Sequence, residues 1–197
     1  MSCILLIGFE PFGGYGINSS WELVSSLPDA IGDFECIKLR LPVEFKAVSE
    51  SVPKILAEHN PDVIFAFGQS IADVVRVERV AINIDDARMP DNSGYCPIDT
   101  QIQNDGASAY FATVPIKLMQ QATINAITPA VISNSAGTYV CNHLFYELLY
   151  WCEKLNRKTQ VGFIHLPRLP QQVENPDGNS MPLNDIKNIV LEIIKAL

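Results

Sequence analysis

Short, largely apolar runs recur along this chain with longer stretches of helical period between them, and few folds accept that pattern. The runs are Cys3–Ile7, Phe34–Leu41, Val63–Phe67, Val74–Asn83, Ala130–Asn134 and Gln160–His165. Most are apolar enough to be buried on both faces, as strands inside a largely parallel sheet are. Helical period covers Ser20–Leu27, Phe45–His59, Pro115–Ile127, Tyr139–Leu155 and Leu183–Ala196, and Pro53 is expected to restart or kink the second of these. The order predicts an α/β fold: a single three-layer domain over residues 1–197, with a mostly parallel twisted sheet and helices on both faces. Ligands in such sheets bind at the carboxyl ends of the strands. From Asp85 to Ala109 neither period holds, and a loop of that length is a functional or interaction arm.

Several function classes drop out on composition. With 48% apolar and 18% charged residues the chain has the makeup of a folded domain rather than a disordered one. The formal charge of −8 is interrupted by no basic run, so nucleic acid is not an expected partner. The first apolar run is only about six residues and lacks a basic flank, which predicts a first strand, no membrane partner and a cytoplasmic chain. Cys3, Cys36, Cys96, Cys141 and Cys152 are odd in number and without paired spacing, which argues against a disulfide framework or a structural zinc site.

Cys3 and Cys36 fall inside strand patterns and Cys152 deep in a helix, so they read as small core residues; Cys96 is on the arm and its role is open. Cys141 stands where Ser133–Asn142 passes from a strand through small residues into a helix. The first helical turn offers partial positive charge and free N–H groups, which favour a thiolate and can hold an oxyanion. Three histidines compete to be its base. His59 closes a helix in solvent, and His143 lies two residues from Cys141 on the same helix and so faces elsewhere. His165 ends the apolar run Val161-Gly162-Phe163-Ile164 at a strand terminus, where a base could reach a thiol, although a core histidine would read the same. A third, orienting group could be Glu78, Asp85, Asp86 or Asp91. Glu78 alternates with apolar neighbours and would need a partner if buried, which His165, Arg79 or Arg88 could supply. The turn Gly8–Gly16 lacks dinucleotide and phosphate-loop spacing. Its Phe9 and Phe12 could flank a small flat ring or pack beneath the loop. A metal centre built from Cys141, His143 and His165 has no recognised ligand spacing.

Several segments together resemble the pyroglutamyl peptidase I family of cysteine peptidases. They are Gly8-Phe9-Glu10-Pro11-Phe12-Gly13-Gly14 with Asn18 and Trp21, Pro61-Asp62-Val63, Glu78 through Arg88, Pro90-Asp91-Asn92, Ser133 through Asn142, and Gly162-Phe163-Ile164-His165. The resemblance implies a cytosolic, cofactor-free, metal-free hydrolase, commonly tetrameric, that releases pyroglutamate from N-terminally pyroglutamylated peptides. It implies Cys141 as nucleophile, His165 as base, Glu78 as the carboxylate that fixes the imidazole, Phe9 and Phe12 against the pyrrolidone ring, and Asn18 and Arg88 as polar groups nearby. The chain departs from the family's usual pattern in a shorter loop after Gly68, in Arg76 two residues before Glu78, and in Arg168 three residues after His165. A non-catalytic binder of pyroglutamyl ends and a hydrolase of another cyclic amide are the alternative readings.

Overall fold

The computed structural model describes residues 2–174 and 179–197. The first half of the chain gives strand β1 (Ser2–Phe9), helix α1 (Ser19–Ser26), strands β2 (Ala30–Ile31) and β3 (Phe34–Leu41), helix α2 (Phe45–His59) and strand β4 (Val63–Gln69). The second half gives β5 (Arg76–Glu78), β6 (Val80–Ile82), β7 (Ala109–Phe111), α3 (Ile116–Ala122), β8 (Val131–Ser133), α4 (Val140–Lys154), β9 (Gln160–Leu166), a 3-10 turn at Pro170–Gln172, and α5 (Leu183–Lys195). One sheet runs in the order β2-β3-β1-β4-β9-β5-β8, while β6 and β7 pair separately.

Strands β3, β1, β4 and β9 are parallel neighbours, as the doubly apolar runs predict. At β5 the sheet reverses: β5 is antiparallel to β9, and β8 follows β5 in parallel. The sheet is therefore mixed, with a parallel block at its centre and short strands of opposite direction at both ends, β2 against β3 on one side and β5 with β8 beyond β9 on the other.

Side-chain alternation distributes each strand between two cores. Leu5, Ile7, Ile64, Ala66, Val161 and Phe163 meet Val48, Val52, Leu144 and Phe145 of α2 and α4 on one face. Ile4, Leu6, Phe65, Phe67, Ile164 and Leu166 meet Leu23, Met119, Ile186 and Val190 of α1, α3 and α5 on the other. Helices thus cover both faces of the sheet. Phe45, Val48, Val52, Ile55 and Leu56 recur at helical spacing and bury one side of α2. That tertiary packing outweighs the hydrogen bond lost at Pro53, and the helix passes through the proline without restarting.

Two predicted elements change shape. The run Val74–Asn83 is not one strand: it divides at Arg79 into β5 in the main sheet and β6, which pairs with β7. Backbone bonds from Arg79 N to Ser133 O and from Ala112 N to Arg79 O fix the crossing between the two sheets. The predicted helix Pro115–Ile127 ends at Ala122, where buried Thr123 accepts a bond from Ala130 N at 2.9 Å and turns the chain into β8.

Register leaves one place in the centre where no side chain fits. Gly162 lies opposite Phe65 in the β4–β9 pair, and a Cβ there would sit 2.6 Å from Phe65 Cε1 and 2.8 Å from Val114 Cγ2. Gly162→Ala is expected to cost about 1–3 kcal/mol of stability through overpacking, read as a lower urea midpoint at unchanged slope. A variant as stable as the parent would contradict this packing.

Candidate active site

Strand β5, paired antiparallel to β9, carries Glu78 to His165. Arg76 is registered opposite His165 and Glu78 opposite Phe163. Directly opposed residues share a face, so Glu78 reaches the imidazole diagonally, within range of a long side chain. Its Oε1 lies 2.8 Å from His165 Nδ1, with Glu78 1% and His165 8% exposed. With Nδ1 held, Nε2 is the nitrogen left to face the sulfur of Cys141.

Cys141 is half-buried in the first turn of α4, behind the N-cap Tyr139, whose side chain makes no cap bond. The first-turn N–H groups of α4 therefore have no side-chain acceptor at the cap. Strand β8 runs opposite to β9, so its carboxyl end points away from that of β9. Residues 134–139 carry the chain back, and the thiol arrives beside His165 by this return, not because the two strands end on one edge. Gly68, the Cα partner of His165 on β4, leaves the room: a Cβ there would be 2.6 Å from Cys141 Sγ and 3.1 Å from His165 Cδ2.

These contacts set the charge on the imidazole. Burial opposes protonation of His165, but the adjacent Cys141 sulfur, by charge and hydrogen bond, and then Glu78 outweigh it and push the pKa up to about 10. Glu78 Oε2 is buried and has no hydrogen-bond partner among the described residues, so Glu78 is committed to His165 alone.

The other carboxylates considered from the sequence are engaged elsewhere. Asp85 Oδ2 is 2.7 Å from His143 Nδ1, and His143 Nε2 is 2.8 Å from Ser49 Oγ, a buried polar strut between α2 and α4. Burial raises the Asp85 pKa against the lowering influence of His143. Asp91 accepts from Phe45 N, Ser93 N, Ser93 Oγ and Tyr95 N. Burial opposes its ionisation, yet these bonds hold its carboxyl below the usual range. It anchors the arm to the start of α2 and is not an orienter for His165. Asp86 joins the arm to the α4 approach through its backbone, donating from N to Thr138 O.

Beside the thiol a narrow cleft is lined by Phe9, Phe12, Asn18, Val43, Gln69, Tyr139, Val140 and Cys141. Both phenylalanines singled out in the sequence are on its wall. Asn18 is there too, but its side chain is occupied: it caps α1 at Ser20 N and donates to Glu10 O at 2.8 Å, which fixes the loop that carries Phe12. Arg88 is exposed and lines an adjoining cavity with Asp86, Met89, Gly137 and Thr138, sharing only Phe12 and Tyr139 with the cleft. A larger cavity between the segment that follows α3 and the start of α5, lined by Asp73, Asn125 and Asp185 among others, contains none of these groups.

Sequence reasoning missed Gln69, whose Oε1 accepts from Ser19 N at 2.9 Å and Gln172 Nε2 at 2.7 Å. At the end of an apolar strand it carries no pattern that distinguishes it. Asn142 was also not separated from its motif. Buried within α4, it exchanges bonds with Ile82 N and O and with Ile84 O, clamping the end of β6 and the approach to the arm against the helix that carries Cys141. Among the described residues no group of three or more His, Cys, Asp or Glu side chains is placed to hold a metal ion.

Comparison with known proteins finds one family profile, that of pyroglutamyl peptidase, matching residues 2–197. A pyrrolidone-carboxylate peptidase of Staphylococcus aureus strain JH9 is 48% identical over 196 residues, which is 98% of this chain and 92% of that protein. Among solved structures, the pyrrolidone carboxyl peptidase from Thermococcus litoralis superposes with a TM-score of 0.94 at 34% identity, covering 100% of this chain and 93% of that one. The pyroglutamyl peptidase I from Bacillus amyloliquefaciens gives 0.93 at 35% identity, over 99% and 94%.

Because the pKa of His165 is raised, its charge persists as pH climbs and is lost only on passing through about 10. In NMR spectra His165 is expected to be protonated still at pH 8, where an ordinary histidine of pKa about 6.5 is neutral. Cys141→Ala removes the sulfur's contribution and should move the titration downward. A His165 that titrates near the ordinary value with Cys141 present would contradict the geometry.

Proposed function

The chain belongs to the pyroglutamyl peptidase family, and from that premise we propose that it hydrolyses the bond after an N-terminal pyroglutamyl residue through a thioester on Cys141. The observation that carries the proposal is the contiguous set of thiol, imidazole and buried carboxylate at the mouth of an apolar cleft. In this mechanism the Cys141 thiolate attacks the pyroglutamyl carbonyl carbon while His165, already protonated, stands ready to give its proton to the leaving amine. Collapse of the tetrahedral intermediate breaks the C–N bond and leaves an acyl thioester. Water, deprotonated by His165 Nε2, then attacks the thioester and releases pyroglutamate. Glu78 fixes the ring with Nδ1 protonated and stabilises the imidazolium. The backbone N–H groups of the first turn of α4 are the donors available to the oxyanion; Arg88, in the adjoining cavity, is better placed beyond Tyr139 than over the thiol.

Selectivity follows from the cleft. Phe9, Phe12, Val43, Tyr139 and Val140 offer apolar walls to a flat lactam. Gln69, with Oε1 held by Ser19 and Gln172, keeps its NH2 group for the lactam carbonyl. A free N-terminal ammonium would lose its water there without a carboxylate to meet it, at a cost of several kcal/mol.

No helix among the described residues is long and apolar enough to cross a membrane. The proposal extends to a reducing cytoplasm, supported by five unpaired thiols. It extends also to a homotetramer, supported by the family and by Ile98 and Phe111, which leave 79% and 66% of their surface open on and beside the arm. Sedimentation as a monomer at working concentration would remove that last part.

A fluorogenic pyroglutamyl amide should be turned over, and the corresponding glutamyl and prolyl amides should not. Cys141→Ala should abolish turnover with the fold preserved, read as an unchanged far-ultraviolet circular dichroism spectrum. Glu78→Gln should lower kcat by about two to four orders of magnitude with little change in KM. Binding of the pyroglutamyl amide without turnover by the parent would establish a binder instead, and turnover of other lactams alone would establish a different cyclic amidase. A near-normal rate in Glu78→Gln would remove the carboxylate from the mechanism.

A further inference from the structure

The order of strands across the sheet separates the two sides of the scissile bond. Phe9 on β1 and Gln69 on β4 place the cleft on one flank of His165, and β5 forms the other flank. If pyroglutamate fills the cleft and the leaving nitrogen takes its proton from His165, the chain beyond that nitrogen leaves toward β5. The residue waiting there is Arg76. Its Cα is the direct partner of His165, so it shares the sheet face that carries His165 and Glu78, and it is exposed.

The charge of Arg76 is uncommitted. Among the described residues no carboxylate comes within ion-pair distance of it. The acid nearest along its strand, Glu78, is bonded to His165. The other arginines around the site are turned elsewhere: Arg79 donates to Asn134 Oδ1 at 2.7 Å, Arg168 to Tyr15 OH at 3.3 Å, and Arg88 lines the cavity beyond Tyr139.

We propose that Arg76 is a specificity-determining residue that binds a carboxylate on the residue following the pyroglutamate, either its side chain or, in a pyroglutamyl dipeptide, its terminal carboxylate. The inference rests on the function proposed above. It runs against the overall field, since a chain of net charge −8 repels acidic peptides at long range. That repulsion is screened beyond about 10 Å in 0.1 M salt, whereas a contact pair beside the bond is screened less.

The test compares kcat/KM at fixed ionic strength for pyroglutamyl-alanine amide, pyroglutamyl-glutamate amide, pyroglutamyl-lysine amide and pyroglutamyl-alanine with a free carboxylate. The quantity read is the ratio of each charged substrate to the neutral amide, because any influence of Arg76 on His165 itself cancels in that ratio. The parent should favour at least one carboxylate substrate about three- to tenfold, the scale of a partly exposed ion pair, and should disfavour the lysine amide. Arg76→Ala should bring the ratios close to one, Arg76→Lys should retain most of the preference, and Arg76→Glu should invert it. A gain with the glutamate amide alone assigns the side chain as the source, and a gain with the free acid alone assigns the terminal carboxylate. Ratios that are the same in the parent and in Arg76→Ala overturn the proposal while leaving the peptidase reading intact. Failure to turn over even the neutral amide sinks that reading, and this one with it.

Discussion

The site depends on one hydrogen bond, between Glu78 Oε1 and His165 Nδ1 across the antiparallel β5–β9 seam. A carboxylate that is 1% exposed would be expensive to keep charged without a partner. The imidazolium supplies that partner, and the imidazolium is in turn favoured by the sulfur on its other side. Each group therefore makes sense only with the next: Glu78 needs a charged His165, and His165 stays charged at neutral pH because Cys141 and Glu78 together outweigh its burial. In the antiparallel register of β5 and β9, Glu78 lies opposite Phe163, two residues inward of His165 along β9, and meets it diagonally from the same face.

Other parts of the fold keep the thiol at the end of this chain of contacts. Gly68 leaves room for Sγ, since a β-carbon there would lie 2.6 Å from it. Helix α4 is held by Asn142, which bonds to both Ile82 and Ile84, and by the strut through His143 to Asp85 and Ser49. The arm that begins at Asp85 is thus fixed to α4 at its root, and through Asp91 to the start of α2 at its middle. On the proposed mechanism these buried polar groups position the nucleophile without taking part in the chemistry.

Much of this was legible in the sequence, for identifiable reasons. A switch from strand to helical period marks the start of α4 and singles out Cys141 from four other thiols. An apolar run that ends on a histidine makes His165 a candidate and alternation with apolar neighbours makes burial of Glu78 plausible, but the resemblance to the family, not periodicity, chooses them among the alternatives. Strand direction is not written in a three-residue run, so neither the reversal at β5 nor the division of Val74–Asn83 at Arg79 could be read from periodicity. Asp91 was a reasonable orienter in the sequence, because a carboxylate that collects backbone N–H groups in a turn looks the same as one that faces a histidine. The roles of Gly68 and Gln69 were not legible because they depend on what the neighbouring strand and helix place against them. The restart considered at Pro53 does not occur, because local propensity yields to the burial of five apolar residues along α2.

The central claim, that hydrolysis proceeds through an acyl group carried by Cys141, can be read directly. A pyroglutamyl aryl ester has a good leaving group, so hydrolysis of the acyl-enzyme becomes the slow step and the intermediate accumulates. The reaction is quenched in acid during early turnovers, digested and mapped by mass spectrometry. The account predicts a single pyroglutamyl group on the peptide that contains Cys141, lost again when the unquenched enzyme is left to turn over. Steady turnover with no acylated cysteine at any time, or the acyl group on Cys96 instead, would contradict it.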